Sequence, residues 1–285
     1  MGSHKGHKVH DGEEHKAGER LCVLCSWCTL CSSWLCLFVF FVAAAAAQTS
    51  ATYTPPKTAD GQPDLQGIWQ VVNTAAWDLE DHAATLGVPA GKGVVEGGSI
   101  PYRPEALSRK RENAMKRASL DPEHKCYLPG VPRITYMPHP FRIVQQRDKI
   151  SILYEYLGVT RFLYMNGNPH PRGPIEWFMG DSRARWEGNT LVVDVVHFTD
   201  QTWFDRAGNF HSNALHVVER YTPLSADHMR YDATIEDPNV FTRPWTISMP
   251  LYRRQESNAE LLEYDCLTYL LDETWEQPEA FPYKR

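Results

Sequence analysis

The sequence predicts an all-β protein: an antiparallel barrel or sandwich carrying a loop-rich, partly helical insertion. Three observations predict it. Short runs rich in Val, Ile, Thr, Tyr and Trp, roughly ten of them, recur from residue 66 to 267 with turn residues between them. No strand–helix–strand rhythm separates them, which removes the parallel α/β architectures. Twenty Pro and 12% aromatic residues in a chain of 285 suit turns and pleated surfaces better than a helical bundle.

Residues 1–48 read as a targeting segment. Lys5, Lys8, Lys16 and Arg20 precede a long apolar stretch, and small residues follow it, with an A-x-A-like exit near Ala45 to Gln48. A cleaved signal peptide and an uncleaved membrane anchor both fit, since the apolar run is long enough to span. Cys22, Cys25, Cys28 and Cys31 have the spacing of an iron–sulfur site, but they alternate with Leu, Val and Trp and lack a polar shell. They belong to the apolar segment, as does Cys36. Export leaves Cys126 and Cys266 alone in an oxidising compartment, so they are expected to form a disulfide.

Residues 49–65 form a polar, Pro-rich arm, and residues 66–285 are expected to form a single β domain. Gly67-Ile68-Trp69 opens the first strand, Ile68 to Val72. The Gly-rich stretch Asn73 to Pro104 is loop. PEALSRKRENAMKR, Pro104 to Arg117, is a surface helix: Pro and Glu lie in its first turn and basic residues at its end. A turn-rich link with Cys126 leads to a strand at Arg133. Ser151–Leu157 and Arg161–Met165 pair around Gly158. Glu187-Gly188-Asn189 turns the chain into the run Thr190–Val196, and Leu215–Tyr221 pairs with His228–Glu236. In that last pair Leu215, Val217, Glu219 and Tyr221 share one face, opposite Met229, Tyr231, Ala233 and Ile235 on the return strand.

Chemistry concentrates between Glu176 and Arg220, where three Trp, three His, four Asp and three Glu surround the Thr190–Val196 run. Glu155, Asp194 and Glu219 each stand between apolar neighbours two residues away, so each needs a partner or a raised pKa. Arg161 is the expected partner of Glu155, and Arg220 or Arg243 that of Glu219. His170 and His211 are candidate acid/base groups because imidazole titrates near neutrality; His211 is placed in a loop at a strand mouth. Trp203 stands in a polar segment beside Asp200 and Asp205, and with Trp186 it suits the wall of a pocket. No H-x-H or H-E-x-x-H spacing assigns a metal site. Ser182 in GDSRA lacks the G-x-S-x-G pattern, and Gly180-Asp181-Ser182 reads as a turn. No Gly-rich phosphate loop or dinucleotide fingerprint calls for a nucleotide cofactor, so no cofactor is expected. A net charge of −6 disfavours nucleic acid and anionic membrane surfaces as partners.

From about Asp60 to Cys266 the chain resembles a family of exported bacterial proteins without an established reaction. The pieces that carry the likeness are PDLQGIW, DPEHKCYLPGVPR, GDSRARWEGNTLVVD, DRAGNFHSNALHVVERY, IEDPNVFTRPW and LLEYDC. The resemblance implies that Arg133, Glu155, His170, Asp181, Trp186, Asp194, Trp203, His211, His216 and Glu219 are the positions that matter. Family members often carry Cys-His-Glu-Gly/Asn where this chain has Cys266-Leu267-Thr268-Tyr269, which leaves no C-terminal His/Glu pair here. Gly67-x-Trp69 is similar to the start motif of lipocalins and other calycins, which implies a calycin-like barrel.

Two functions follow as expectations. One is an exported enzyme acting on a small hydrophobic or aromatic molecule by acid/base chemistry: a lyase, isomerase or hydrolase. His211, His170, Asp194 and Glu155 would be catalytic, with Arg133, Trp203, Trp186, His216, Glu219 and Asp205 binding the ligand. The other is a non-catalytic periplasmic ligand-binding protein. If the first holds, Glu155, Asp194, His211 and Trp203 should line one cavity, with Arg133 or Arg161 nearby.

Overall fold

The computed structural model describes residues 53–266, all within the second of the chain's two units, Thr52–Arg285. The targeting segment, the start of the arm and the altered motif after Cys266 lie outside the described residues. Nine strands close into one barrel in sequence order, β1 to β9. They are β1 Gly67–Gln70, β2 Phe141–Gln145, β3 Lys149–Tyr154, β4 Thr160–Tyr164, β5 Asp181–Glu187, β6 Thr190–Val196, β7 His216–Pro223, β8 His228–Glu236 and β9 Trp245–Arg253. Closure comes from β1, which pairs with both β2 and β9. Of the two expected architectures, the closed barrel is thereby chosen over the sandwich.

The sheet is not wholly antiparallel. The 16 residues between β4 and β5 carry the chain back across the barrel, so β5 runs parallel to β4 and pairs with it at one position, Tyr164 with Arg183. The β5–β6 hairpin turns at Gly188-Asn189 as expected, and the β7–β8 pairing sets Tyr221 opposite Tyr231. Val217, Glu219 and Tyr221 face inward with Met229, Tyr231, Ala233 and Ile235, as the alternation predicts.

The insertion between β1 and β2 begins as irregular loop. It then forms α1 (Pro104–Met115), α2 (Arg117–Leu120), a 3-10 turn (Pro122–Lys125) and α3 (Arg133–Tyr136). Arg133 therefore opens a buried helical turn, not a strand. The end of the arm is also more than a tail: Leu65 is buried, and its amide donates to Gln145 Oε1 at 2.6 Å. Cys126 and Cys266 are joined, with their Cα atoms 5.7 Å apart, which fastens the link before α3 to the segment after β9.

Candidate functional site

On the outside of the barrel wall, β5, β6 and β7 bring three of the expected residues together. Asp194 on β6 is paired with Arg183 on β5 and with Val218 on β7. His216, two residues before Val218, is therefore its diagonal neighbour on the same face. His216 Nε2 donates to Asp194 Oδ1 at 2.5 Å. The second imidazole arrives from the β4–β5 connection: His170 Nδ1 donates to Asp181 Oδ1 at 2.6 Å, and its Nε2 lies 3.6 Å from Asp194 Oδ2. That Nε2 is buried and has no hydrogen-bond partner.

Asp181 is fixed in turn by Arg183, whose Nε and Nη2 donate to its two oxygens at 2.6 and 2.9 Å. Partial burial pushes the Asp181 carboxyl up, but hydrogen bonds from Arg183 and His170 outweigh it and hold the group below the usual carboxylate range. His197 takes a left-handed backbone (φ 65°), and its Nε2 donates to the Pro171 carbonyl at 2.9 Å, which pins the connection bearing His170. Asp181 begins a strand, so the turn lies just before it, over Trp177–Gly180, where the Gly180 amide donates to the Trp177 carbonyl at 3.3 Å. A side chain at Gly180 would meet Val195 Cγ1 and the Val196 carbonyl oxygen, each at 2.8 Å.

The face assignment of Asp194 is corrected. Its neighbours Val192 and Val196 are apolar, but the barrel interior takes Leu191, Val193 and Val195. Both faces of this strand are apolar, so alternation alone does not say which is inner. Thr190 and Val192 do share the face of Asp194, but it is an outer wall. Glu155 is corrected for the same reason. Ile152, Tyr154 and Tyr156 are buried, which turns Glu155 toward His139 Nδ1 (3.4 Å) and the Leu262 amide, which donates to its Oε2 at 2.9 Å. It does not meet Arg161.

Arg161 instead reaches Glu219 inside the barrel, at 3.2 and 2.5 Å, so neither Arg220 nor Arg243 is the partner. Arg220 lies outside and donates to Glu187 at 2.8 Å. Trp186 sits at the barrel's rim beside Gln145 and Arg147.

The remaining candidates gather where the insertion covers the barrel. His211 is 1% exposed. Its Nδ1 donates to the Ser212 carbonyl at 2.9 Å, so Nε2 accepts from Thr202 Oγ1 at 2.6 Å. Burial lowers its pKa below the ordinary value and keeps the ring neutral. With both nitrogens occupied and the Phe204 ring 5.2 Å away, it is a structural group and not a proton carrier. Gly130 permits this packing: at φ +77°, a side chain there would meet Thr202 Oγ1 at 2.7 Å.

Arg133 binds Asp121 at 3.1 Å and Glu123 at 2.6 Å, and Glu123 also takes Arg206 at 2.6 Å. Both terminal nitrogens of Arg133 are thus taken by protein carboxylates, while its buried Nε has no hydrogen-bond partner. The sequence reading passed over Asp121 and Glu123, although an acidic Asp-Pro-Glu turn shortly before an isolated Arg was a usable signal. Asp205 accepts from the Leu79, Ala207 and Asn209 amides and from Asn209 Nδ2. Burial, with Asp78 close by, still pushes its pKa up to about 7.

The expected convergence of Glu155, Asp194, His211 and Trp203 does not occur. Glu155 lines a cavity with Leu157 and Leu262, and Trp203 lines a groove beside α1. Asp194 is on the outer wall and His211 is sealed in the interior. Among the described residues no group of three or more His, Cys, Asp or Glu side chains could hold a metal ion, and no helix is long and apolar enough to cross a membrane. Comparison with protein-family models, with characterised proteins and with solved structures finds no match to this chain.

Proposed function

We propose that the protein is an exported enzyme that moves a proton on a small hydrophobic or aromatic molecule, with His216 as the acid/base group and Asp194 as the residue that orients it. One observation carries this reading. Asp194 accepts a hydrogen bond from His216 Nε2, which leaves Nδ1 for a substrate, 3.9 Å from Glu236 Oε2, on a side chain 38% exposed. A carboxylate that fixes the tautomer and favours the imidazolium is the usual support of a histidine base. His170, itself fixed by Asp181, stands behind Asp194 with its Nε2 3.6 Å from Asp194 Oδ2. Trp177, 40% exposed, has its ring 6.0 Å from that of His197 at the margin of the cluster and offers apolar contact. Export is supported by the Cys126–Cys266 bond and by the targeting pattern of residues 1–48.

The test is turnover on a panel of aromatic esters, together with hydrogen–deuterium exchange at carbons next to aromatic ketones. His216→Gln and Asp194→Asn should each lower the rate by ~10²-fold or more. Full activity in both variants, or no turnover on any member of the panel, would overturn the reading. A second reading, non-catalytic binding of a small ligand, is favoured by the groove beside Trp203.

A further inference from the structure

That groove runs between α1 and the segment 200–203, with a volume of about 420 Å³ and walls that include Arg109, Asn113, Lys125, Tyr127, Asp200 and Trp203. This is within the range that holds a small organic molecule.

Its charges are unusual for this end of the barrel. The neighbouring cations are committed: Lys110 to Glu80, Lys116 to Glu112, Arg133 to Asp121 and Glu123, and Arg206 to Glu123. Arg109 and Lys125 have no ion-pair partner among the described residues. They rest against rings, Arg109 at 4.5 Å from the centroid of Phe210 and Lys125 at 6.0 Å from that of Tyr127. Glu112 is already neutralised by Lys116, so Asp200 is the one wall carboxylate without a cation among the described residues.

The walls are also fixed before any ligand arrives. Asn113 Nδ2 donates to the Gly208 carbonyl at 3.2 Å, and the Cys126 bond anchors the chain between Lys125 and Tyr127. Fixed walls reduce the ordering cost of binding.

We propose that this groove binds a small aromatic acid carrying a hydroxyl or ammonium group away from its carboxylate. The carboxylate accepts hydrogen bonds from Arg109 and Lys125, the ring lies against Tyr127 and the part of the largely buried Trp203 that lines the groove, and the distal hydroxyl or ammonium donates to Asp200. The inference rests on the ligand-binding reading and not on proton transfer, because no groove residue belongs to the His216–Asp194 pair.

The test is calorimetric titration of the purified protein with 4-hydroxybenzoate, benzoate and phenol. Saturable binding of 4-hydroxybenzoate is expected, tighter than benzoate and far tighter than phenol, and weakening with added salt. The double variant Arg109→Gln/Lys125→Gln should weaken it at least tenfold, and Asp200→Asn should remove the preference over benzoate. All three side chains are exposed, so melting should be unchanged. If phenol binds as tightly as the acids, or the double variant binds as well as the native protein, the proposed ligand class is wrong while the binding reading stands. If none of the three binds, both fall.

Discussion

Arg161 on β4 and Glu219 on β7 meet inside the barrel, with Nη1 and Nη2 donating to the two carboxylate oxygens at 3.2 and 2.5 Å. Nε of the same guanidinium donates to Ser182 Oγ on β5 at 3.0 Å, so one side chain joins three strands. The place is consequential, because β4 and β5 pair at a single position and form the thinnest seam of the wall. Tyr221 and Tyr231 also donate to Glu219 Oε1, at 3.1 and 2.8 Å. These large side chains fill this part of the barrel interior.

Arg161→Met should cost about 3–5 kcal/mol, because it leaves the Glu219 carboxylate buried without a countercharge. Burial alone would weaken the guanidinium's hold on its proton, but Glu219 more than reverses this. Replacing both partners, Arg161→Met with Glu219→Met, should recover most of the loss. Urea unfolding of the three proteins decides it; a single variant as stable as the native chain would contradict the role. Hydrogen exchange should rise first at the β4–β5 seam.

The Cys126–Cys266 bond closes a stretch of 140 residues. Restricting so long a loop in the unfolded chain stabilises the fold by about 5 kcal/mol in the chain-entropy picture, an upper figure. Peptide mapping without reductant should recover the two cysteines in one linked fragment. Cys126→Ser with Cys266→Ser should lower the melting temperature and loosen the groove wall at Lys125 and Tyr127. A map that pairs either cysteine with the N-terminal group would refute the assignment.

Alternation made the β7–β8 faces legible, because Val217 and Tyr221 flank Glu219 on the inward face, while the outward face carries His216, Arg220 and Thr222 with Val218 as its one apolar member. The same rule failed at Asp194 and Glu155, whose strands carry large apolar groups on both faces: Leu191 and Val193 against Val192, Tyr154 against Leu153. Cys126 and Cys266 were legible by elimination. Burial of His211 and capture of Arg133 by Asp121 and Glu123 were not, since both depend on the insertion folding over the barrel's end, which no local pattern encodes. His170, Asp194 and His216 stood out as residues, but their meeting depends on the long β4–β5 connection and a strand register that the sequence does not print.

Asp205 should make stability fall as pH rises. Its carboxyl keeps its proton up to about 7 in the folded chain but releases it near 3.8 when unfolded, so the unfolded state gains between those values. The loss should approach roughly 4 kcal/mol across that window. Asp205→Asn cannot ionise, and its stability should lack this slope. Denaturant unfolding at pH 4, 5.5 and 7.5 compares the two; parallel profiles would mean that Asp205 is ionised throughout.

His211 should act in the opposite sense over the same range. Burial lowers its pKa, so the unfolded ring binds a proton near 6.5 while the folded ring remains neutral. Its contribution is therefore complete above pH 6.5 and is lost as pH falls toward the folded value. The two buried groups partly cancel, and the native protein should show a flatter profile between pH 4 and 7 than either variant. His211→Gln keeps a polar partner for Thr202 and removes the titration, so it should expose the Asp205 decline at rising pH. Asp205→Asn should expose the acid-side loss due to His211. If His211→Gln instead abolished turnover on a substrate while leaving the pH profile of stability unchanged, His211 would be a catalytic group after all, and the buried, neutral role assigned to it would be wrong.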